Sequence, residues 1–257
     1  MIITPFAYMA EQAAPPPSWT PYDFANITHY WRSDSGITLS GTDVQTWTDV
    51  LSSLALNVWS TATYPAYNAT DASYNNKPTI EFNGTSDALG ASATSGYLST
   101  DSMTILVIHA PVKTGASQYQ MLAGDSIGFM EMMMNSSLPG AADILGTYKF
   151  NMGGSNGVVS TGLSYTSGDL IWQGAAIDHA TTTFYQWVNS GTPVSSIGGQ
   201  GASATKDPFH PVVGSYGAPG AGIGLYYPGK IMEFMFIKGV PSPTEFSDFD
   251  TYVTSTY

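Results

Sequence analysis

The sequence predicts an all-β protein, an antiparallel β-sandwich with an extended N-terminal arm and a short C-terminal helix. Three observations carry that expectation. Met103-Thr104-Ile105-Leu106-Val107-Ile108-His109 is a branched apolar run bounded by Asp101 and Pro111, which reads as a central strand. Residues 170–177 and 183–188 are apolar runs on either side of the turn Asp178-His179-Ala180, and Asn189-Ser190-Gly191 closes the second, so the two read as hairpin strands. Gly-rich stretches at 153–157, 198–201 and 214–224 then separate strand-like segments; none is followed by a helix and a lysine in the manner of a phosphate-cradling loop.

Taken in order, residues 1–18 form an apolar, Pro-rich arm with Pro15-Pro16-Pro17 and almost no charge. Such composition favours extended chain with little packing of its own. Its large apolar side chains, Ile2, Ile3, Phe6, Tyr8 and Met9, need a surface to cover them, either the chain's own domain or another subunit. Residues 19–257 are expected to form one sandwich domain, because all-β domains reach this length as single units and neither a repeat nor a linker divides the segment. Near its end an apolar strand around Ile231 and Ile237 leads into a helix start. Ser242 is placed as N-cap, Pro243 as first helical residue and Glu245 as the reciprocal partner of a capping box. Phe246, Phe249 and Val253, with Tyr252 beside them, recur at helical spacing and should close one end or edge of the sandwich.

This strand-then-helix ending resembles the C-terminus of concanavalin A-like lectin/glucanase jelly rolls, the laminin-G-like group common in bacterial and phage surface proteins. Three blocks nearer the front are similar to successive blocks of that family. They are Tyr30-Trp31-Arg32-Ser33-Asp34-Ser35-Gly36, Val44-Gln45-Thr46-Trp47-Thr48-Asp49 and the stretch Lys77 to Leu89 containing Glu81-Phe82-Asn83-Gly84-Thr85-Ser86-Asp87. Two departures stand out: Arg32-Ser33-Asp34 where many relatives carry an Asp soon after the first Trp, and Leu51-Ser52-Ser53 where they carry a Gly-Asn turn. The resemblance implies a fold whose usual work is to bind or to display.

Composition narrows the partners. Of 257 residues 43% are hydrophobic and 13% aromatic, enough for a sizeable core, whereas only 10% are charged. Nineteen acidic against seven basic residues give a net charge of -12, with Arg32 the only arginine, which argues against binding a phosphate backbone. There is no cysteine, so neither disulfides nor thiolate metal sites are available. The first ten residues lack a basic residue and are broken by Pro5, unlike a signal peptide, and no run of 18 apolar residues predicts a membrane-spanning helix. N-x-S/T sequons at Asn26, Asn68, Asn83 and Asn135 are what chance supplies in so Asn-, Ser- and Thr-rich a chain.

Catalytic chemistry finds little footing. A glycosidase on the family's fold would project alternating carboxylates from one strand, and a strand sends every second side chain to one side. Here Glu81, Glu131 and Glu233 are single acids on their strands, whereas acid and nucleophile or base need two carboxyls roughly 5 to 9 Å apart. Glu233 is expected to be structural, held by backbone or Arg32, and Asp248 and Asp250 to lie on a solvated helix face. His29, His109, His179 and His210 are scattered, without the spacing of a zinc helix. The expectation is a non-enzymatic chain without a cofactor. Calcium is the one metal with candidate ligands, the oxygens of Asp34, Asp49, Asn83 and Asp87, although turn-forming Asx residues account for those positions equally well.

Aromatics remain. Trp59, Tyr64, Tyr67 and Tyr74 fall in a Pro- and Asn-containing region, and Tyr216, Tyr226 and Tyr227 in the Gly-rich segment before the last strand. Rings with amide and hydroxyl neighbours suit sugar recognition or a subunit interface. Together with the resemblance, these features give the expected role: a phage virion structural protein, a capsid decoration, fibre or tail-associated component. It would display a lectin-like domain at the virion surface, oligomerise, join other virion proteins through the arm and touch host glycans. A glycan hydrolase or lyase of the same fold, and a bacterial surface adhesin or carbohydrate-binding module, are the other readings.

Overall fold

The computed structural model describes residues 19–59, 62–96, 101–113, 120–125, 130–134, 144–152, 155–157, 163–181, 183–189, 192–197, 210–215 and 225–257. The arm residues Ile2, Ile3, Phe6, Tyr8 and Met9, and Tyr216 in the Gly-rich segment, lie outside them. The strands are β1 (Ile27–Arg32), β2 (Ile37–Ser40), β3 (Asp43–Thr48), β4 (Ala55–Val58), β5 (Ala66–Asp71), β6 (Lys77–Asn83), β7 (Leu89–Gly90), β8 (Met103–Pro111) and β9 (Gln120–Asp125). They continue with β10 (Met130–Met134), β11 (Ile144–Met152), β12 (Ser155–Gly157), β13 (Leu163–Ser164), β14 (Ile171–Asp178), β15 (Thr183–Val188), β16 (Val194–Ile197), β17 (Pro211–Val213) and β18 (Pro228–Lys238), followed by helix α1 (Pro243–Thr256).

Antiparallel pairing arranges these strands in two layers. One layer runs β1-β18-β8-β14-β15-β16. The long β18 shares one side between two partners, β1 along residues 233–237 and β6 along 228–231, and β5 follows β6. The other layer runs β2-β3-β4-β7-β17-β9-β10-β11, with β12 and β13 on β11. Among the described residues the pairing of Asp43 with Ala66 joins the layers at β3 and β5.

Between the layers lies the larger core. Trp31, Ile105, Val107, Phe234 and Phe236 from the first layer face Trp47, Leu56, Leu89, Leu122 and Val213 from the second. A second core covers the opposite face of the first layer, where Tyr30, Leu106, Ile108, Trp172, Trp187 and Met235 meet Phe246, Phe249 and Val253 of α1. This is why β8 and β18 read as nearly unbroken apolar runs. A strand covered on both faces has no solvent side on which to alternate.

The helix therefore caps a face of the sandwich and not an end or an edge, which corrects the sequence expectation. Large rings on the outer face of β14 and β15 need cover, and the apolar side of the helix laid across them supplies it. Its start is as read. Ser242 Oγ accepts from Glu245 N at 3.3 Å, and Glu245 Oε2 accepts from Ser242 N at 2.8 Å. The other oxygen of Glu245 accepts from Ala25 N at 3.0 Å and so ties the cap to the chain ahead of β1. No helix among the described residues is long and apolar enough to cross a membrane.

Candidate functional site

The β14–β15 hairpin and the first turns of α1 enclose an aromatic cleft. Alternation along β15 sends Tyr185 and Trp187 to the helix-covered face, and Trp172 joins them from β14. Tyr185 and Trp187 stack with centroids 5.5 Å apart, Trp187 and Phe246 at 4.4 Å, and Trp172 and Phe246 at 5.8 Å with rings 6° from parallel. Pro193, Val240, Pro241 and Pro243 complete the walls, Asn189 and Ser247 add polar groups, and the cavity holds about 420 Å³. That volume lies within the roughly 300–1,000 Å³ of small-molecule sites.

The cleft is fixed from behind. Asn189 adopts a left-handed backbone at φ 49°, its Oδ1 accepts from Trp172 N at 3.0 Å, and its own N donates to Trp172 O at 2.9 Å. Trp172 Nε1 donates to Asp250 Oδ1 at 2.7 Å. Asp250 thus anchors the helix to the indole and is not part of a merely solvated face, a correction to the sequence reading. Among the described residues no Asp, Glu, Lys or Arg lines the cavity. Such a lining can stack an apolar ring face and meet a few neutral hydrogen bonds.

The aromatic residues singled out in the sequence are dispersed. Trp59 is buried with Ala88 and Val212 in a small satellite cluster. Tyr74 is a core residue whose hydroxyl donates to Gly168 O at 2.9 Å, under the ammonium of Lys230 at 5.5 Å. Tyr227 is fully buried with its hydroxyl 3.0 Å from His109 Nδ1. Tyr67 is half-buried and donates to Ser33 O at 3.1 Å, Tyr226 is half-buried, and Tyr64 is exposed. Trp59, Tyr74 and Tyr227 offer no open ring face. Trp172, Tyr185, Trp187 and Phe246 are not among those candidates, although Tyr185-x-Trp187 before an Asn turn is a usable clue, because it places two large rings on one face of a strand.

Glu233 sits at the middle of β18, directly opposite Arg32 of β1. Its carboxylate takes three hydroxyls: Tyr30 on Oε2 at 2.7 Å, and Tyr252 at 2.6 Å and Tyr257 at 2.7 Å on Oε1. Burial pushes its pKa up, against the opposing pull of the three hydroxyls and of Arg32. Arg32 itself bonds Asp34 at 2.6 Å. Glu81 is exposed, and the side chain of Glu131 lies outside the described set. His109 is fully buried, and desolvation holds its pKa down to about 3, so it is neutral between Tyr227 and Gln173.

Ser52, His29 and Asp49 have the residue types of a hydrolytic triad but the wrong connectivity. Asp49 Oδ2 lies 2.7 Å and Ser52 Oγ 2.9 Å from the same ring nitrogen, Nδ1, while Nε2 is 2.8 Å from the carbonyl of Ser95. In a working triad the serine faces the nitrogen opposite the aspartate. The spacing G-x-S-x-G occurs at 153–157, but Ser155 lies on β12, paired back onto β11, and not at a strand-to-helix elbow.

The calcium candidates each have structural tasks. Asp49 also accepts from Tyr30 N and Leu51 N, both at 2.8 Å. Asp87 accepts from Asn83 N at 2.9 Å and Thr63 Oγ1 at 2.5 Å, and Asn83 Oδ1 accepts from Thr85 N and Ser86 N at 2.8 Å. Among the described residues no three His, Asp or Glu side chains converge as a metal site.

No family model and no curated protein sequence matches the chain. Solved structures of similar fold include a Trypanosoma rangeli sialidase in complex with sialic acid, at TM-score 0.58 and 12% identity, covering 88% of this chain and 33% of the sialidase. Domain 4 of a GH43 extracellular arabinanase from Geobacillus stearothermophilus, in complex with arabinotriose, matches at TM-score 0.58 and 12% identity, over 89% of this chain and 100% of that domain. The receptor-binding domain of botulinum neurotoxin type G matches at TM-score 0.59 and 9% identity, over 88% of this chain and 51% of its own. The chain thus spans about a third of the sialidase and half of the neurotoxin domain. At these identities the likeness establishes the all-β fold.

Proposed function

We propose that this chain is a non-catalytic glycan-recognition module of concanavalin A-like type, which holds a saccharide against the rings of its aromatic cleft. One observation carries the reading: a cavity of about 420 Å³ with Tyr185, Trp187 and Phe246 in a continuous stack and Asn189 and Ser247 at its border. Flat rings match the apolar face of a sugar, and a few neutral donors and acceptors meet its hydroxyls. Support comes from the arabinanase domain, which matches over its whole length and was solved with arabinotriose. The described lining holds no carboxylate, which favours binding over hydrolysis.

The test is titration of a saccharide panel against wild type and Tyr185→Ala. Tyr185 is only half-buried, so its loss should leave the fold intact. Binding weakened at least about tenfold in the variant, with unchanged unfolding midpoint, supports the reading; equal binding by both proteins removes it. A tenfold change corresponds to about 1.4 kcal/mol.

The proposed setting is a virion surface, to which residues 1–18 attach the module. The arm's apolar residues Ile2, Ile3, Phe6, Tyr8 and Met9 motivate this part of the proposal. Purified particles containing the chain at high stoichiometry support it. A chain found only free in the medium contradicts it.

A further inference from the structure

We infer that the cleft selects uncharged glycans and rejects those bearing sialic acid, uronic acid, sulfate or phosphate at the bound residue. This rests on the recognition reading above and deepens it. Every described residue lining the cavity is neutral, and the polar ones among them are few: Asn189, Ser247 and Tyr185. Asn189 already uses its carbonyl oxygen on Trp172 N, which leaves its Nδ2 donors for a ligand. Neutral hydroxyls and ring oxygens can be satisfied by so few groups. An anion cannot, because taking a charge out of water without an opposing charge costs far more than a neutral hydrogen bond returns.

Among the described side chains none supplies a cation at the cleft to compensate. Among the described residues Arg32 pairs with Asp34, Lys230 pairs with Asp71, Lys113 lies over the ring of Tyr165, and Lys77 lines a separate depression with Trp19 and Tyr252. Lys238 is two residues from Val240 in the wall, but strand alternation puts Ile237 on the helix-covered face and turns Lys238 away from it. A negative charge does stand at the aromatic floor: Asp250, bonded to the indole nitrogen of Trp172. The chain's net charge of -12 adds a long-range field of the same sign.

Salt separates the two contributions. At about 1 M salt the screening length shrinks to roughly 3 Å, from about 8 Å at physiological strength, so the global field fades while the desolvation cost inside the cleft stays. The experiment measures wild type, Tyr185→Ala and Ser247→Arg against an immobilised saccharide panel. The panel holds matched pairs that differ only by a sialic or uronic acid residue, and is read at about 0.15 M and about 1 M salt. Expected are Tyr185-dependent binding of neutral members, acid-bearing partners at least about tenfold weaker at both salt concentrations, and a gain of acid binding in Ser247→Arg. Ser247 is exposed, so that substitution places a cation at the rim without disturbing the core.

Acid-bearing partners that bind wild type as tightly as their neutral counterparts, with Tyr185 still required, would overturn the selectivity and leave recognition standing. Discrimination that vanishes at high salt would also overturn it, since the whole-molecule field would then be the cause. A panel on which nothing binds would sink the recognition reading itself.

Discussion

Tyr252 of the last helix donates its hydroxyl to Glu233 Oε1 of the last strand at 2.6 Å. Tyr30 from β1 and Tyr257 after the helix complete the set, so one carboxylate draws together three parts of the chain. Glu233 is 1% exposed, and the helix cannot lift from the sheet without stranding it.

Glu233→Gln tests this junction. Gln resembles the protonated carboxyl but brings one more N–H donor into a site already filled by three hydroxyls, so at least one tyrosine hydroxyl must turn or lose its bond. A loss of about 1–3 kcal/mol is expected in mild acid. Burial raises the folded pKa of Glu233 above its unfolded value, despite the hydroxyls and Arg32. Its contribution is therefore full below the unfolded pKa and declines as pH rises through the folded one. Urea unfolding from about pH 4 to about pH 8 should show the gap between wild type and variant narrowing as pH rises. A gap that widens contradicts the assignment.

Phe249 and Ser242 separate packing from capping. Phe249 is fully buried among Trp19, Phe24, Trp172 and Tyr252, whereas Ser242 contributes a cap at the exposed start of the helix. Phe249→Ala should cost about 3–5 kcal/mol and Ser242→Ala about 1 kcal/mol in equilibrium denaturation. The reverse order would make the helix a solvated appendage.

Asp49 gives the opposite pH dependence. Burial alone would raise its pKa, but hydrogen bonds from His29, Ser52 and the N–H groups of Tyr30 and Leu51 outweigh it and hold the carboxyl below its usual range. A depressed folded pKa contributes stability above the unfolded pKa that is lost as pH falls through the folded one. Asp49→Asn should destabilise by about 1–3 kcal/mol at neutral pH, with the gap closing in acid. Acid unfolding followed by tryptophan fluorescence checks this; a constant gap would remove Asp49 from the acid transition.

The local features were legible in the sequence. The branched run of β8, the β14–β15 hairpin and the capping box of α1 each follow from a few neighbouring residues. The site was not, because Trp172, Trp187 and Phe246 meet only when the helix folds back over a hairpin some 60 residues earlier in the chain. Loop aromatics misled for a related reason. Trp59 has Pro and Asn neighbours like a surface ring, yet it fills the space over Gly90, where an added Cβ would stand 2.3 Å from the indole. Asp250 looked like a solvated helix acid, and only its contact with the Trp172 indole shows otherwise.

The most direct test of glycan recognition is where a bound saccharide perturbs the protein. Two-dimensional NMR of the isotope-labelled chain, titrated with neutral oligosaccharides such as arabinotriose, reads every backbone amide and indole N–H at once. The account predicts saturable shifts concentrated at Tyr185, the Trp187 and Trp172 indoles, Asn189 and Ser247, all abolished in Tyr185→Ala. Shifts centred on Tyr64 and Tyr226 instead, with the cleft unmoved, would contradict it.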